Sequence, residues 1–446
     1  VTPNPSKQPA HRSLEEINQS VAVPDTPQPA FWRKFLAYSG PGALVAVGYM
    51  DPGNWLTSLA GGGQFQYRLL TVLTIAILIA MFMQTLAIKL GVVAGQDLAQ
   101  AIASHLPRPL RYGWWLLNEV AMVATDMTGV LGTALALKML FNLPLAVGII
   151  LTIADVLIVL LFLRFGIRRV EMLVLLAILT VGIIFGIEVA RAHANFPQVL
   201  QGLIPSHVII DNHAALVLSL GIVGATIMPH NLYLHSSLAQ SRRYDRHDAR
   251  QVGEALRFAK WDSNVHLVAA FLINALLLVL GGTLFFGHSQ AFASLSGVSR
   301  GLQTPAVVGQ LASPLMGSLF AIALLITGLI SSITSTLAGQ IVMEGYLRIR
   351  LPLWQRRLLT RTVTLIPVLL IGWRVGFRDQ ALEQLIINAQ VVLSIALPFT
   401  LFPLVALTAS HKLMHNRVNH RISTVLGYGL ATVISGLNLL LVMNWF

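Results

Sequence analysis

The stretch Gly48-Tyr-Met-Asp51-Pro-Gly-Asn54 decides the fold. Sixteen residues without Asp, Glu, Lys or Arg precede Asp51 (Phe35–Met50), and sixteen follow it (Pro52–Tyr67). A run of roughly 20 such residues carries a helix across a bilayer, so this stretch is a membrane span with a carboxylate near its middle. At that depth a carboxylate costs about 2.5–3.5 kcal/mol or more unless something compensates. Pro52 removes a backbone donor and clashes with the preceding turn, and Gly53 loosens the backbone further. The helix is therefore expected to break in mid-membrane. Freed carbonyls near Gly48 and the side chains of Asp51 and Asn54 would then face a buried cavity.

The rest of the chain has the same character. Of its 446 residues 55% are apolar and 11% charged, less than half the charge of a typical soluble domain, which is about 25%. Residues 69–88, 267–287, 301–343, 384–411 and 422–446 hold no Asp, Glu, Lys or Arg. A soluble enzyme and a disordered chain are excluded. The lack of any cysteine also removes disulfide scaffolds, thiolate metal sites and cysteine nucleophiles. The fold class is an all-α polytopic membrane protein.

Eleven spans are expected, at 36–66, 69–93, 114–141, 144–163, 169–190, 214–240, 261–287, 312–343, 359–376, 384–409 and 422–444. The ninth carries the weakest signal, because Arg361 falls inside it. Residues 1–30 hold six of the 20 prolines, and 1–35 reads as a flexible cytoplasmic tail without a cleavable signal. The tail and the loops after even-numbered spans carry 23 of the 30 Lys and Arg residues; the opposite side carries 6. That asymmetry puts the amino terminus in the cytoplasm and the carboxyl terminus outside. It also accounts for the formal charge of +12 without invoking nucleic acid.

Span 6 repeats the design of span 1. Thirty uncharged residues separate Asp211 from Arg242, and near their middle stands Met228-Pro-His-Asn231. Both breaks have the form X-Pro-X-Asn. Span 6 comes five spans after span 1, an odd number, so the two helices cross in opposite directions. Matching breaks in antiparallel halves mark an inverted repeat with its site at the midplane. The repeats are 36–190 (spans 1–5) and 214–409 (spans 6–10), joined by an extracytoplasmic loop at 191–213 and followed by 410–446 with span 11.

Such a cavity would offer the Asp51 carboxylate, the Asn54 amide, carbonyls near Gly48 and Ala225, and the Met228 thioether. Oxygen ligands alone suit Mg²⁺ or Ca²⁺, whereas a thioether favours a softer transition ion. The set points to Mn²⁺ or Fe²⁺. The plainer alternatives are an acid that caps a half-helix, for Asp51, and core packing, for Met228.

Asp51-Pro-Gly-Asn54 and Met228-Pro-His230, in this order, resemble the two signatures of the Nramp family of proton-coupled divalent metal transporters. The likeness covers roughly residues 13–446. It implies a LeuT-like fold, alternating access, and metal ligation by Asp51, Asn54, Met228 and the Ala225 carbonyl, with Gln390 at a position linked to the occluded metal. The transported ion would be Mn²⁺, with Fe²⁺, Co²⁺ or Cd²⁺ as relatives, and no cofactor is implied.

Glu119 and Asp126 are seven residues apart and share one face of span 3. With Arg361 as counter-charge they resemble the family's proton exit path, and His230 could titrate between it and the metal. The plainer reading is a static salt-bridge network between spans 3 and 9. Many family members carry a further acid where this chain has Gly129. Asp155, alone in span 4, is expected to pair locally, Asn274 to hydrogen-bond between helices, and His266 to have no special role.

The expected function is a monomeric importer of divalent metal ions, driven by proton symport, in the cell membrane. A metal uniporter, a LeuT-like amino acid or amine carrier and a Mg²⁺ transporter are the alternatives. No Walker A, GxSxG or HExxH pattern stands at a suitable place, so an enzyme is not expected.

Overall fold

The computed structural model describes residues 14, 17–23, 31–164, 166–287, 295–309, 312–349 and 351–445. Most of the proline-rich tail lies outside the described residues. Among them, nine helical segments are long and apolar enough to cross a membrane. The two further expected spans are each divided into halves too short to cross alone. Span 1 consists of Pro41–Gly48 and Pro52–Phe65, and span 4 of Leu145–Leu151 and Ala154–Arg164.

The expected interruptions are present. In span 1 the chain leaves the helix at Tyr49, and Asp51 takes an extended conformation (φ −66°, ψ 163°) as N-cap of the second half. In span 6, His213–Thr226 ends at extended Ile227, and extended Met228 precedes Pro229–Leu238. Each break leaves carbonyls that need a donor in a water-free interior. Asn274 of span 7 donates to the Tyr49 carbonyl at 2.6 Å, the interhelical role expected of it.

The interruption of span 4 was not expected, because Leu151-Thr-Ile-Ala154 contains neither proline nor glycine. Helix lengths differ too. Span 3 begins at Arg108, span 7 at Ala249 and span 9 at Leu353, each several residues before the apolar stretch. Hydropathy marks the part of a helix that sits in lipid; backbone hydrogen bonding carries the helix further into the polar layer. Arg356 and Arg357, read as loop residues, therefore belong to helix 9 and are buried.

Span 8 packs along span 3, and the second half of span 1 packs along span 7. Gly62 permits the latter contact, since a β-carbon there would run into the Leu278 carbonyl. Small residues allow close helix approach in membranes in this way. Exposed Leu157, Leu176, Ile183, Leu370 and Val425 cover the outer surface, as a lipid-facing wall requires.

The described part of the tail is not free chain. Val21–Ala22 pairs in parallel with Arg242–Arg243, and the Leu14 N–H donates to Glu344 at 2.8 Å. His266 also differs from expectation. It lies within a long helix, Ala249–Leu284, and contacts Asp262 at 3.0 Å. The Asp262 carboxylate accepts the amides of Gly40 and Gly42 at 3.0 and 2.7 Å, so this pair anchors the start of span 1.

Candidate metal site and its carboxylate network

The Asp51 carboxylate is buried and accepts four hydrogen bonds, all from neutral donors. Its Oδ1 accepts the Asn54 backbone N–H at 2.8 Å and the Asn54 amide at 2.7 Å. Its Oδ2 accepts Thr128 Oγ1 of span 3 at 3.3 Å and Gln390 Nε2 of span 10 at 3.2 Å. Capping the half-helix explains only the first of these. The bonds from spans 3 and 10 hold the second oxygen inside the bundle, where a cap has no use for it.

Asn54 joins the two breaks. Its Nδ2 bridges Asp51 Oδ1 and the carbonyl oxygen of Ala225, at 2.7 and 2.9 Å. These are two of the oxygens expected to bind a cation. A half-turn of the amide about its last torsion would withdraw the N–H₂ and present Oδ1 in its place. Of the five expected ligands, hydrogen bonds bring together Asp51, Asn54, Ala225 and Gln390. Met228 is buried at the start of the second half of span 6, three residues beyond Ala225; its sulfur takes no part in those bonds.

The side chains around this centre are more polar than the two motifs suggest. His230 Nδ1 lies 3.3 Å from Thr125 Oγ1, and its Nε2 is buried without a hydrogen-bond partner. The Asn231 amide is buried and unpartnered on both atoms, packed where a side chain at Gly48 would stand. Thr128 had no sequence signal, because a threonine in a helix is commonplace.

The acids of span 3 are differently placed. Glu119 pairs with Arg356 at 2.5 Å. Asp126 pairs with Arg357 at 2.8 Å and Arg361 at 3.2 Å. Arg361 is thus the counter-charge of Asp126 but not of Glu119. Asp155 joins the same buried cluster through Arg357, at 3.2 Å, and Arg361, so it pairs across helices instead of locally. Ser335 donates to Asp126 and Ser332 to Asp155, at 3.2 and 2.8 Å. The Arg357/Arg361 spacing of four residues puts both on one helix face, a relation that holds because helix 9 begins at Leu353 and takes in residues expected in a loop.

Charge therefore divides the buried acids around the centre into two kinds. Glu119, Asp126 and Asp155 each face arginine, whereas the hydrogen-bond partners of Asp51 are amides and a hydroxyl, none of them a cation. No group of three His, Cys, Asp or Glu residues suited to a metal occurs among the described residues. A site built from one carboxylate, amides, a carbonyl and a thioether does not need one.

A family model, Nramp (natural resistance-associated macrophage protein-like), matches residues 42–444. A divalent metal cation transporter MntH of Levilactobacillus brevis is 45% identical over 433 residues, 97% of this chain and 94% of the relative. The protein of that description from Staphylococcus haemolyticus is 46% identical over 436 residues, 98% and 97% of the two chains. The crystal structure of an Eremococcus coleocola manganese transporter, with an aromatic bis-isothiourea compound, superposes with a TM-score of 0.91 at 44% identity, covering 96% of this chain and 90% of that one. A nucleobase-cation-symport-1 family transporter, Mhp1, shares the fold at 13% identity and a TM-score of 0.54.

Proposed function

The chain belongs to the Nramp family, and from that premise we propose that it imports divalent transition-metal ions, Mn²⁺ foremost and Fe²⁺, Co²⁺ or Cd²⁺ beside it, together with protons. The observation that carries this reading is the Asp51 carboxylate, buried among neutral donors and linked through Asn54 to the Ala225 carbonyl. An incoming divalent ion replaces the Asn54 N–H₂ between the two oxygens, and the turned amide supplies a further oxygen. Gln390 gives up its bond to Asp51 Oδ2 and offers its own Oε1, which is buried and unpartnered. Met228 adds a soft donor, which favours Mn²⁺ and its neighbours over Mg²⁺ and Ca²⁺.

Alternating access follows from the two breaks. Each half-helix of spans 1 and 6 can tilt about the extended residues beside the site, while spans 3 and 8 stay packed against one another. A proton released as metal binds Asp51 passes by Thr128, Thr125 and His230 toward Asp126 and Glu119, and so to the cytoplasm. The protein works in the cell membrane as a monomer, with its amino terminus cytoplasmic and its carboxyl terminus outside. Metal uniport is the second reading, favoured by the ion pairs that Glu119 and Asp126 form with arginine.

Reconstitution in liposomes, with Mn²⁺ uptake and internal pH followed together, tests both. Uptake with matching acidification, abolished by Asp51→Ala, supports the symporter. Uptake without acidification establishes the uniporter, and uptake that survives Asp51→Ala removes the site.

A further inference from the structure

We propose that Asp155, delivered by the break in span 4, is a proton-carrying group of the transport cycle and takes the place of the side chain that Gly129 lacks. This inference rests on the symport reading above. Three observations lead to it.

First, span 4 breaks without a local helix breaker. Thr152, Ile153 and Asp155 hydrogen-bond three residues back, to Ile149, Ile150 and Thr152, although Leu151-Thr-Ile-Ala154 contains no helix breaker. Irregular backbone at membrane depth persists where it serves a buried polar site. Asp155 is the polar group this one brings inward.

Second, Asp155 reaches the space beside Gly129. A β-carbon at Gly129 would lie 3.6 Å from the Gly328 carbonyl and 3.8 Å from Ser332 Oγ, at ordinary van der Waals contact. The position therefore accepts a side chain. Ser332 Oγ in turn donates to Asp155 Oδ2 at 2.8 Å, so one hydroxyl separates the Asp155 carboxylate from the place where an acid on span 3 would begin.

Third, the surroundings can hold a proton temporarily. Asp155 is faced by Asp126 across shared arginines, by Arg357 and Arg361 of span 9, and by Ser332 of span 8. Span 5 also packs on this half-helix, but its Glu171 is bound by Arg168 and Arg242. Two carboxylates face two guanidiniums, and the cluster is neutral. A proton arriving there forms one O–H bond on one carboxylate, makes the cluster singly positive, and leaves when that bond breaks; the guanidiniums keep their own protons. Ser332, which donates to Asp155 and accepts from Arg361 Nη2 at 3.0 Å, connects the new carboxylate to the Gly129 side of the path.

The test follows internal pH and Mn²⁺ uptake in proteoliposomes, with Mn²⁺ binding by calorimetry as the check on the fold. In Asp155→Asn, proton influx per Mn²⁺ should be lost, falling to the level of protein-free liposomes, while Mn²⁺ still binds. Moving the acid to span 3, by Gly129→Glu in the Asp155→Asn background, should restore the influx. Should Asp155→Asn leave unpaired arginines and fail to fold, Asp155→Asn with Arg361→Gln keeps the cluster neutral and should show the same loss. Unchanged influx in these variants overturns the proposal, and so does loss of Mn²⁺ binding in both, which would make Asp155 scaffold. Failure of Gly129→Glu to restore influx overturns the replacement of Gly129. A wild-type protein that takes up Mn²⁺ without acidification fails earlier, on the symport reading itself.

Discussion

Gln390 donates its side-chain amide to Asp51 across 339 residues of sequence, at 3.2 Å. This bond ties span 10 to the break in span 1. Hydrogen bonds to charged groups contribute about 1.5–3 kcal/mol. Metal binding as proposed exchanges that bond for a contact from Gln390 Oε1 to the ion, so Gln390→Leu removes a donor and should weaken Mn²⁺ binding by roughly tenfold or more, read by calorimetry on the purified protein.

Gly53→Ala should have a related effect without touching a ligand. A β-carbon at Gly53 would run into the Gln390 amide and displace it from the place where its Oε1 would meet the ion. Mn²⁺ affinity should fall in the same direction as in Gln390→Leu, and the two substitutions together should cost little more than either alone. Additive losses would mean that Gly53 acts by another route.

Met228→Ala removes the soft donor and leaves the oxygen set. Discrimination between Mn²⁺ and Ca²⁺ should shrink, with Cd²⁺ affinity falling furthest. Competition of Ca²⁺ against Mn²⁺ uptake measures it directly, and an unchanged ratio would return Met228 to the role of packing.

Proton competition at Asp51 has a definite sign. The carboxylate must be deprotonated to bind metal, so Mn²⁺ affinity should fall as pH drops and release up to one proton per ion bound. Calorimetry in buffers of different ionisation enthalpy reads that proton. Asp51→Asn should abolish its release along with binding.

Arg357 is buried between Asp126 and Asp155. Removing one partner of a buried ion pair costs about 3–5 kcal/mol, because the remaining charge is stranded. Arg357→Leu should lower the melting temperature in detergent by roughly 10 °C. Arg250→Ala, at the exposed pair with Asp248 and Glu254, should change it little.

The pattern along the chain made much of this protein legible before any coordinates. Asp51 and Asn54 stood out because proline and glycine beside a mid-span carboxylate break a helix by local chemistry alone, and Ala225 and Met228 because Pro229 breaks an uncharged span in the matching place. Glu119 and Asp126 stood out through their helical spacing. Arg356 and Arg357 were hidden, because an apolar window ends where charge begins while the helix itself continues. Thr128, Ser332 and Ser335 carry no sequence signal; a hydroxyl in a helix becomes informative only when its neighbour is known.

The sequence by itself determined that the chain is a polytopic helical membrane protein, where two of its helices break, and which donor types those breaks expose. These are local consequences of hydropathy, proline and glycine. Only the tertiary structure decided the partners: Gln390 and Thr128 for Asp51, Arg356 for Glu119, arginine for Asp155, and the unforeseen break in span 4. A buried polar group must find its complement somewhere in a water-free interior. Which of several hundred residues provides it is settled by how the helices pack, and no local pattern in the chain records that choice.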